Sequence, residues 1–297
     1  MRAIVFDTFG DPGVLHPAEV PLPEPGPGQI RVRVEAAGVN PFDGKVRSGA
    51  FPAVRLPAIP GIELAGVVDA LGPEVTGTEV GDRVFGWAVG GSYAEYALSG
   101  VWAHIPEGLD FVPAATLPVA VEASSRVLRA LDVRRGETLL VHGASGAVGQ
   151  VAVQLAVAAG VTVIGTAAER NQDVVRALGA VPTVYGPGLV DRVRALAPRG
   201  VDAVFDVAGR GVLPDSLELR GGPSRIVTIA DPAAEQYGVA GSWASDQRPA
   251  DLLAFAELLV KGEARTTVAG TYDLAEASEA QRLSDAGHVA GKIVLIP

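Results

Sequence analysis

Residues 141–149 read VHGASGAVG, with three glycines spaced three residues apart directly after an aliphatic run. Gly143 and Gly146 permit a tight turn and a close approach of the backbone to a ligand, and Gly149 permits a following helix to pack against the strand. The N-terminus of such a helix presents N–H groups to an anion. The segment therefore predicts a phosphate-binding loop. Its residues are Gly143, Ala144, Ser145, Gly146, Ala147, Val148 and Gly149.

The glycine spacing departs from the G-x-G-x-x-G fingerprint of dinucleotide-binding folds, because Ala144 stands in place of its first glycine. The pattern alone is also compatible with a structural glycine-rich turn. The context favours a dinucleotide site, since an aliphatic strand precedes the loop and a helix and a second strand of suitable length follow it.

The end of that second strand indicates which dinucleotide binds. An NAD site generally carries a carboxylate there, which accepts hydrogen bonds from the ribose. Residues 166–168 are Thr-Ala-Ala, whereas Glu169 follows 20 residues after Gly149 and is a competing signal for NAD. Arg170 and Asn171 suit a 2′-phosphate, although all three polar residues also suit the solvated first turn of a helix. The sequence favours NADPH.

Aliphatic segments alternate with helical segments after residue 120. Strands are predicted at 138–142, 161–165, 182–185, 202–207 and 225–229, and helices at 148–159, 171–178, 189–197, 211–219 and 250–261. Such alternation requires right-handed crossovers and predicts an α/β fold with a doubly wound parallel sheet. The tail is predicted as strand 266–272, helix 274–286 and strand 292–296.

The residues before position 120 are rich in glycine and proline and contain short alternating segments. Ile30, Val32 and Val34 alternate with charged residues, which is the period of a half-buried strand. This part of the chain is therefore predicted to be β-rich.

The composition excludes several classes of partner. The 297 residues include 24 basic and 34 acidic side chains, and the net charge of −10 does not suit nucleic acid or an anionic membrane surface. The absence of cysteine excludes disulfides and thiolate zinc sites. Asp7 interrupts what a secretion signal would need as an apolar core, so a cytoplasmic protein is expected. The histidines share no metal-ligand spacing and are predicted to be structural or surface residues. They are His16, His104, His142 and His288.

An ordered series of motifs runs along the chain: GVNPFD at 38–43, RSG at 47–49, PGIELAGVV at 60–68, GDRV at 81–84, the glycine loop, LGA at 178–180 and GKIVL at 291–295. In this series the chain resembles the zinc-free quinone oxidoreductase branch of the medium-chain dehydrogenase/reductase superfamily, which includes zeta-crystallin. The resemblance extends over essentially the whole chain.

This resemblance implies a GroES-like substrate domain made of residues 1–120 and 266–297, a Rossmann nucleotide-binding domain of residues 121–265, and a homodimer. It also implies an enzyme that transfers hydride from NADPH to a small-molecule quinone or α,β-unsaturated carbonyl. Zinc-dependent relatives carry a cysteine near the GVNPFD motif and a histidine at the position of Ile62. Because both ligands are absent, no metal is expected.

The resemblance assigns roles to particular residues. Asn40 matches an asparagine on the nicotinamide side that orients the reactants, although a residue before proline also suits a local turn. Tyr185 matches an aromatic residue near the adenosine 2′-phosphate or packs at a strand end. Lys292 is expected near the cofactor, or at the surface. The remaining expected cofactor contacts end the fourth and fifth strands of the parallel sheet. They are Val207, Ala208, Gly209, Ile229 and Ala230.

Three positions depart from the family pattern. Phe51 stands in the expected substrate pocket where many relatives have a tyrosine, and Ala123 stands where they have a threonine. Ala168, an expected cofactor contact, replaces a frequent serine. The loss of the tyrosine makes water or a substrate hydroxyl the expected proton source, which favours quinones. Glu122 is the one acid in an apolar run and either acts on a ribose or substrate or caps its helix.

Two other functions remain open on the sequence. One is an enoyl reductase of polyketide-type metabolism, which belongs to the same superfamily. The other is an NADPH-binding sensor or structural protein with little turnover, which the missing hydroxyl groups favour and which the glycine loop and Asn40 argue against.

Overall fold

The computed structural model describes residues 1–50 and 54–297. Contacts between residues divide the chain into two compact units. The β-rich unit comprises Met1–Val119 and Gln247–Pro297, and the parallel-sheet unit comprises Ala120–Asp246. Residues 247–265 group with the β-rich unit, whereas the sequence analysis expects them in the nucleotide-binding domain.

The helices and strands follow one another along the chain in this order: β1 (Arg2–Val5), β2 (His16–Glu19), β3 (Ile30–Val39), α1 (Pro41–Arg47), β4 (Glu63–Leu71), β5 (Arg83–Val89), β6 (Tyr96–His104), α2 (Phe111–Ala115), α3 (Pro118–Leu131), β7 (Thr138–His142), α4 (Ala147–Ala158), β8 (Thr162–Ala167), α5 (Gln172–Ala177), β9 (Val181–Val184), α6 (Leu189–Leu196), β10 (Ala203–Asp206), α7 (Leu213–Arg220), β11 (Ile226–Thr228), β12 (Ala240–Gly241), α8 (Pro249–Val260), β13 (Val268–Asp273), α9 (Ala277–Ala286) and β14 (Lys292–Ile296).

The β-rich unit contains a sheet in the order β13-β14-β3-β4-β5-β6, and β3 also pairs with β6. The pairs are antiparallel except for β13 and β14, which run parallel. Within β3, Ile30, Val32 and Val34 are buried, while Arg33 is exposed. The alternation expected from the sequence is therefore confirmed, because one face of this strand packs on the core.

The parallel-sheet unit contains a sheet in the order β12-β11-β10-β7-β8-β9, with every neighbouring pair parallel. The predicted doubly wound fold is confirmed, and the predicted strands agree with the observed ones to within one or two residues. The order reverses between β7 and β10. In open sheets of this kind, ligands bind beyond the carboxyl ends of the strands at such a switch point.

The inner strands of the parallel sheet, β7, β8, β10 and β11, are buried on both faces, which explains why they are continuous aliphatic runs rather than alternating ones. Leu139 and Val141 pack into the cluster that contains Ala152 of α4. Leu140, between them, packs into a second cluster that contains Leu189 and Val193 of α6. Helices on both faces thus hold β7 and β10, whose carboxyl ends carry the loops described below.

Candidate functional site

The glycine loop follows β7 and leads into α4, which begins at Ala147. Gly143 has a φ of 77°, in the left-handed region that favours glycine. The N–H of Ala144 donates to the carbonyl of Thr166 at 3.0 Å, and the N–H of Gly146 donates to the carbonyl of Gly143 at 3.1 Å. The first N–H groups of an α-helix have no acceptor within the helix, so those of α4 are available to a phosphate.

The alanine at the first fingerprint position is accommodated by a glycine on the neighbouring strand. Ala144 is fully buried. A Cβ added to Gly165 of β8 would lie 2.7 Å from the Cβ of Ala144, which is closer than two non-bonded carbon atoms approach in proteins. The two positions therefore fit together: Ala144 supplies a methyl group where Gly165 leaves the space for it.

The segment after β8 brings the predicted 2′-phosphate residues to one short turn. Ala168 precedes a 3-10 turn over Glu169–Asn171. Glu169 and Arg170 are exposed. Asn171 is buried, and its Nδ2 donates to Oγ of Ser145 in the glycine loop at 3.4 Å. Arg170 is thus on the surface, whereas the side chain of Asn171 connects the turn to the loop. Tyr185, after β9, is also exposed.

A buried carboxylate organises the loop after β10. Asp206, at the end of that strand, is fully buried. Its Oδ1 accepts the N–H of Ala208 at 2.9 Å and that of Gly209 at 3.0 Å, and its Oδ2 accepts the hydroxyl of Thr228 at 2.7 Å. Two of the predicted cofactor residues are therefore held through their backbone by Asp206.

The hydroxyl of Thr228 extends this arrangement to the loop after β11. Thr228 Oγ1 accepts the N–H of Ala230 at 3.1 Å and the N–H of Asp231 at 3.0 Å. Since the same hydroxyl donates to Asp206, the two side chains connect the ends of two neighbouring strands. Both loops lie at the carboxyl end of the sheet, where the sequence analysis expects cofactor contacts.

His142 lies beneath these loops and is fully buried at the end of β7. Ser216 Oγ donates to the carbonyl of Val212 at 2.7 Å, so the contact of 3.0 Å between Ser216 Oγ and His142 Nε2 has the imidazole as donor. Its Nδ1 then accepts from Thr166 Oγ1 at 3.4 Å. This network suits a neutral imidazole. Burial lowers the pKa of His142 to about 4, although the charge of Asp206 acts in the opposite direction.

This burial of His142 predicts a loss of stability in acid. A pKa of about 4 in the folded protein and an ordinary value near 6.5 in the unfolded chain mean that the unfolded chain binds the proton first. The contribution of neutral His142 to the free energy of unfolding is fully present above about pH 6.5, and it falls by about 3 kcal/mol as the pH decreases to about 4. Thermal unfolding between pH 7.5 and 4.5 tests this, with His142→Gln expected to flatten the acid limb. An equal acid dependence in the variant would contradict the assignment.

In the β-rich unit, Asn40 immediately precedes α1 and is buried. Its backbone N–H donates to Oδ2 of Asp43 at 2.8 Å, and the hydroxyl of Tyr93 donates to the same oxygen at 2.9 Å. Burial raises the pKa of Asp43 to about 7, against the hydrogen bonds from Asn40 and Tyr93, which lower it. The backbone at Asn40 is thus fixed by a buried, hydrogen-bonded acid.

The side chain of Asn40 contacts two buried charges. Lys292 Nζ donates to Asn40 Oδ1 at 2.6 Å, and Asn40 Nδ2 donates to Glu63 Oε1 at 2.8 Å. Lys292 Nζ also lies 2.6 Å from Glu63 Oε1. Lys292 is therefore a buried residue paired with an acid and not a surface charge.

Glu122 is buried within α3, and its carboxylate is engaged by other residues of the parallel-sheet unit. Oε1 accepts from Arg126 Nε at 2.6 Å and from the backbone N–H of Asp246 at 2.7 Å. Arg126 also donates to the carbonyl of Ser242 at 3.0 Å. Glu122, with its partner Arg126, thus connects residues 242–246 to α3. Its action on a ribose or substrate stays a prediction.

Two residues of the expected active site, at which the chain departs from the family pattern, have different outcomes. Phe51 lies outside the described residues. Ala123 is buried in α3. Within residues 1–50 and 54–297, no group of three or more His, Asp or Glu side chains is arranged to hold a metal ion. In the same ranges, no helix combines the length and apolar character that crossing a membrane requires.

The sequence analysis did not identify Glu63, Asp43, Asp206 or Thr228 as site residues. Glu63 appears in the sequence only as part of the PGIELAGVV motif, and Asp206 only as an acid ending an apolar strand. An acid next to an apolar strand segment is a signal that could have identified both residues, because a carboxylate buried there needs partners. The partners themselves are distant in sequence and become visible only in the fold.

Two family descriptions match the chain: "Alcohol dehydrogenase GroES-like domain" over residues 26–106 and "Zinc-binding dehydrogenase" over residues 178–295. The chain is 33% identical to quinone oxidoreductase from Rattus norvegicus over 99% of this chain and 96% of that protein. Quinone oxidoreductase from Coxiella burnetii has a TM-score of 0.90 and 32% identity, covering 100% of this chain and 99% of the other. Quinone oxidoreductase from Escherichia coli, solved with NADPH, has a TM-score of 0.90 and 25% identity, covering 100% of both chains.

A GroES-like β-rich unit together with a Rossmann unit defines the architecture of the medium-chain dehydrogenase/reductases. Identity to the rat protein over nearly the whole of both chains specifies the branch. The chain belongs to the quinone oxidoreductase family of that superfamily.

Proposed function

We propose that this protein is an NADPH-dependent oxidoreductase that reduces a quinone or an α,β-unsaturated carbonyl without a metal. The observation that carries the proposal is the glycine loop at the switch point of the parallel sheet, between a left-handed Gly143 and the N-terminus of α4. Relatives that match over the full length and bear the name quinone oxidoreductase support it.

The residues of the parallel-sheet unit fit NADPH. The N–H groups of the glycine loop and α4 suit a pyrophosphate, and the guanidinium of Arg170 suits a 2′-phosphate. Ala167 and Ala168 offer no carboxylate to a ribose 2′-hydroxyl, which is the feature that an NAD site needs. The solved E. coli relative was obtained with NADPH, which supports the same choice here.

NADPH would supply the hydride, and the protein would bind and orient the reactants. Reduction of a quinone or enone leaves negative charge on an oxygen, which needs hydrogen-bond donors and then a proton. Asn40 is proposed to orient the reactants through its amide. The absence of cysteine, with Ile62 at the position of a histidine ligand, supports chemistry that does not use zinc.

The proposed organisation assigns substrate binding to the GroES-like unit and nucleotide binding to the Rossmann unit. We also propose a cytoplasmic homodimer. Strand β12 forms one edge of the parallel sheet, and Trp243 beside it is 59% exposed, so this edge is suited to pairing with a second copy.

Oxidation of NADPH and NADH by the purified protein, measured across quinones, enones and enoyl thioesters, tests this function. We expect quinones or enones to accelerate NADPH oxidation, with kcat/KM at least about tenfold higher for NADPH than for NADH because the 2′-phosphate pairs with Arg170. Arg170→Ala should lower this ratio, whereas Arg176→Ala, which removes an exposed arginine paired with Asp173, should leave it unchanged.

Three outcomes would contradict the proposal in different ways. NADPH that binds without being oxidised by any acceptor would favour a sensor or structural protein. Turnover with enoyl thioesters alone would favour an enoyl reductase. Tighter binding of NADH than of NADPH would overturn the role of Arg170 and leave the competing signal at Glu169 as the better interpretation.

A further inference from the structure

We propose that Glu63 and Lys292 are positioning residues that lock the Asn40 carboxamide in one orientation, with an N–H of Nδ2 presented to a carbonyl or enolate oxygen of the bound reactants. The three residues come from different parts of the β-rich unit: the end of β3, the start of β4 and the start of β14. The inference rests on the proposed function in one respect, because it is that function which places Asn40 beside the reactants.

The hydrogen bonds form a closed arrangement around the amide. The ammonium of Lys292 lies 2.6 Å from Asn40 Oδ1 and 2.6 Å from Glu63 Oε1, and Asn40 Nδ2 donates to that same carboxylate oxygen at 2.8 Å. Each polar atom of the Asn40 side chain therefore faces a charge of the opposite sign to its own partial charge. One N–H of Nδ2 is used in this way, and the other is left for a ligand.

The opposite orientation of the amide is electrostatically excluded. Rotation by 180° would turn the NH₂ group of Asn40 towards the ammonium of Lys292 and its oxygen towards the carboxylate of Glu63. Glu63 is 0% exposed and Lys292 is 3% exposed, so water does not screen these repulsions. A neutral pair of neighbours could tolerate either orientation, whereas a buried ion pair permits one.

The position of the carboxylate is itself fixed from two other directions. Glu63 Oε2 accepts the backbone N–H of Val119, at the beginning of α3, at 2.8 Å. On the other side, a Cβ on Gly38 would lie 2.2 Å from Glu63 Oε1, so only glycine leaves space for the carboxylate there. Glu63 is thus held by the N–H of Val119 and by the surface of β3 while it binds Asn40.

A purely structural role for the ion pair is the alternative to distinguish. Strand β14 is already paired with β3 through the backbone, with Ile293 opposite Val39. Lys292 is therefore not needed to place its own strand. Buried ion pairs are often replaceable by apolar residues without loss of stability, which makes a positional role the better reason for this one.

The chain has two asparagines, Asn40 and Asn171, which permits a direct test. Labelling with ¹⁵N-asparagine gives two side-chain NH₂ pairs in an NMR spectrum, and Asn40→Ala assigns them. We expect the Asn40 pair of the wild type to show one proton shifted downfield by the Glu63 carboxylate. We expect Glu63→Gln, Lys292→Met and Gly38→Ala each to remove this downfield shift, while the chemical shifts of the Asn171 NH₂ pair stay unchanged.

The matched control is Glu95→Gln, the same chemical change in an exposed ion pair with Arg2 of the same unit. It should leave both NH₂ pairs unchanged. Because a single variant with one buried charge removed can fail to fold, the double variant Glu63→Gln/Lys292→Met supplies a neutral cluster. We expect it to recover the wild-type Tm while the Asn40 pair stays altered.

The kinetic readout separates positioning from stability. With NADPH and an accepted quinone, the double variant should lose roughly tenfold to a hundredfold in kcat, because the orienting amide is displaced. The dissociation constant of NADPH should change by less than about threefold, since the phosphate contacts belong to the glycine loop.

An Asn40 spectrum that stays unchanged in the double variant and in Gly38→Ala would overturn the proposal. Full recovery of both Tm and kcat in the double variant would also overturn it and assign the pair a purely structural role. The NMR measurement needs no turnover. If none of the acceptors accelerates NADPH oxidation by the wild-type protein, the proposed function is refuted, and the orientation of Asn40 is still tested.

Discussion

Replacing Gly149 by alanine is expected to abolish NADPH binding. A Cβ at this position would lie 2.2 Å from the carbonyl oxygen of Gly143 and 2.7 Å from the Cα of Ala144. Both contacts are with backbone of the glycine loop, which cannot move aside as a flexible side chain can. To relieve them, α4 has to move away from β7, and the N–H groups that would bind the pyrophosphate move with it. We expect a loss in NADPH affinity of at least about a hundredfold.

The same loop offers a comparison variant, Gly146→Ala, that should weaken binding without disturbing the fold. Gly146 has an ordinary φ of −76°, and the nearest atom to an added Cβ is the carbonyl oxygen of Gly143 at 3.5 Å. This substitution is therefore tolerated by the fold. It places a methyl group on the surface where the phosphate is proposed to lie, so it should weaken NADPH binding while leaving Tm unchanged.

Fluorescence titration with NADPH and thermal unfolding distinguish these effects. Gly149→Ala should lower both affinity and Tm, Gly146→Ala only affinity, and Gly100→Ala, on strand β6 of the other unit, neither. If Gly149→Ala binds NADPH like the wild type, then α4 does not approach the loop as described. If Gly146→Ala binds normally, the backbone of the loop does not contact the phosphate.

Local patterns in the sequence were sufficient to predict the parallel sheet. The inner strands β7, β8, β10 and β11 are buried on both faces, so their aliphatic runs are continuous and their lengths are readable from the sequence. The two-residue edge strand β12 is exposed and was not predicted. The glycine loop was also predictable, because the conformations it needs restrict the residue type. The reason why Ala144 is acceptable was not predictable, since it depends on Gly165 in the next strand.

The boundary at the end of the parallel-sheet unit shows the limit of such patterns. Helix α8 was predicted at nearly the observed residues, but its unit was not. The helix packs against β6, and a Cβ added to Gly108 would lie 3.7 Å from Cγ1 of Val260 at the end of α8. An apolar helical face specifies that the helix packs, whereas its partner is decided by the whole fold.

The buried polar clusters could not be predicted for a related reason. Glu63 and Lys292 are 229 positions apart, and the residues around either one do not indicate that the two side chains pair. His142 was expected to be structural, and its burial agrees with that, but its hydrogen-bond partner Ser216 lies 74 positions away. Hydrogen-bond partners at such separations follow from topology, so the sequence indicates a polar residue and the fold decides its role.

Asp206→Ala is expected to disorganise the loops after β10 and β11 together. The substitution removes the acceptor of the Ala208 and Gly209 N–H groups and of the Thr228 hydroxyl, at a site that is fully buried. The Thr228 hydroxyl is buried and the two N–H groups are partly buried, and a buried donor left without a partner costs about 1–3 kcal/mol, so the Tm of the parallel-sheet unit should fall by several degrees. NADPH affinity should fall as well, by about tenfold or more, because the loops end the strands beside the switch point.

The parallel-sheet unit contains a control with similar chemistry at the opposite end of β10. Asp202 Oδ2 accepts the N–H of Thr138 at 2.8 Å, where β7 begins. Asp202→Ala should therefore lower Tm and leave NADPH affinity close to that of the wild type. Thr228→Val should reproduce the loss of affinity, and Thr228→Ser, which retains the hydroxyl, should restore it. If Asp202→Ala and Asp206→Ala weaken NADPH binding equally, the effect is one of general stability. The two loops then have no particular part in holding the cofactor.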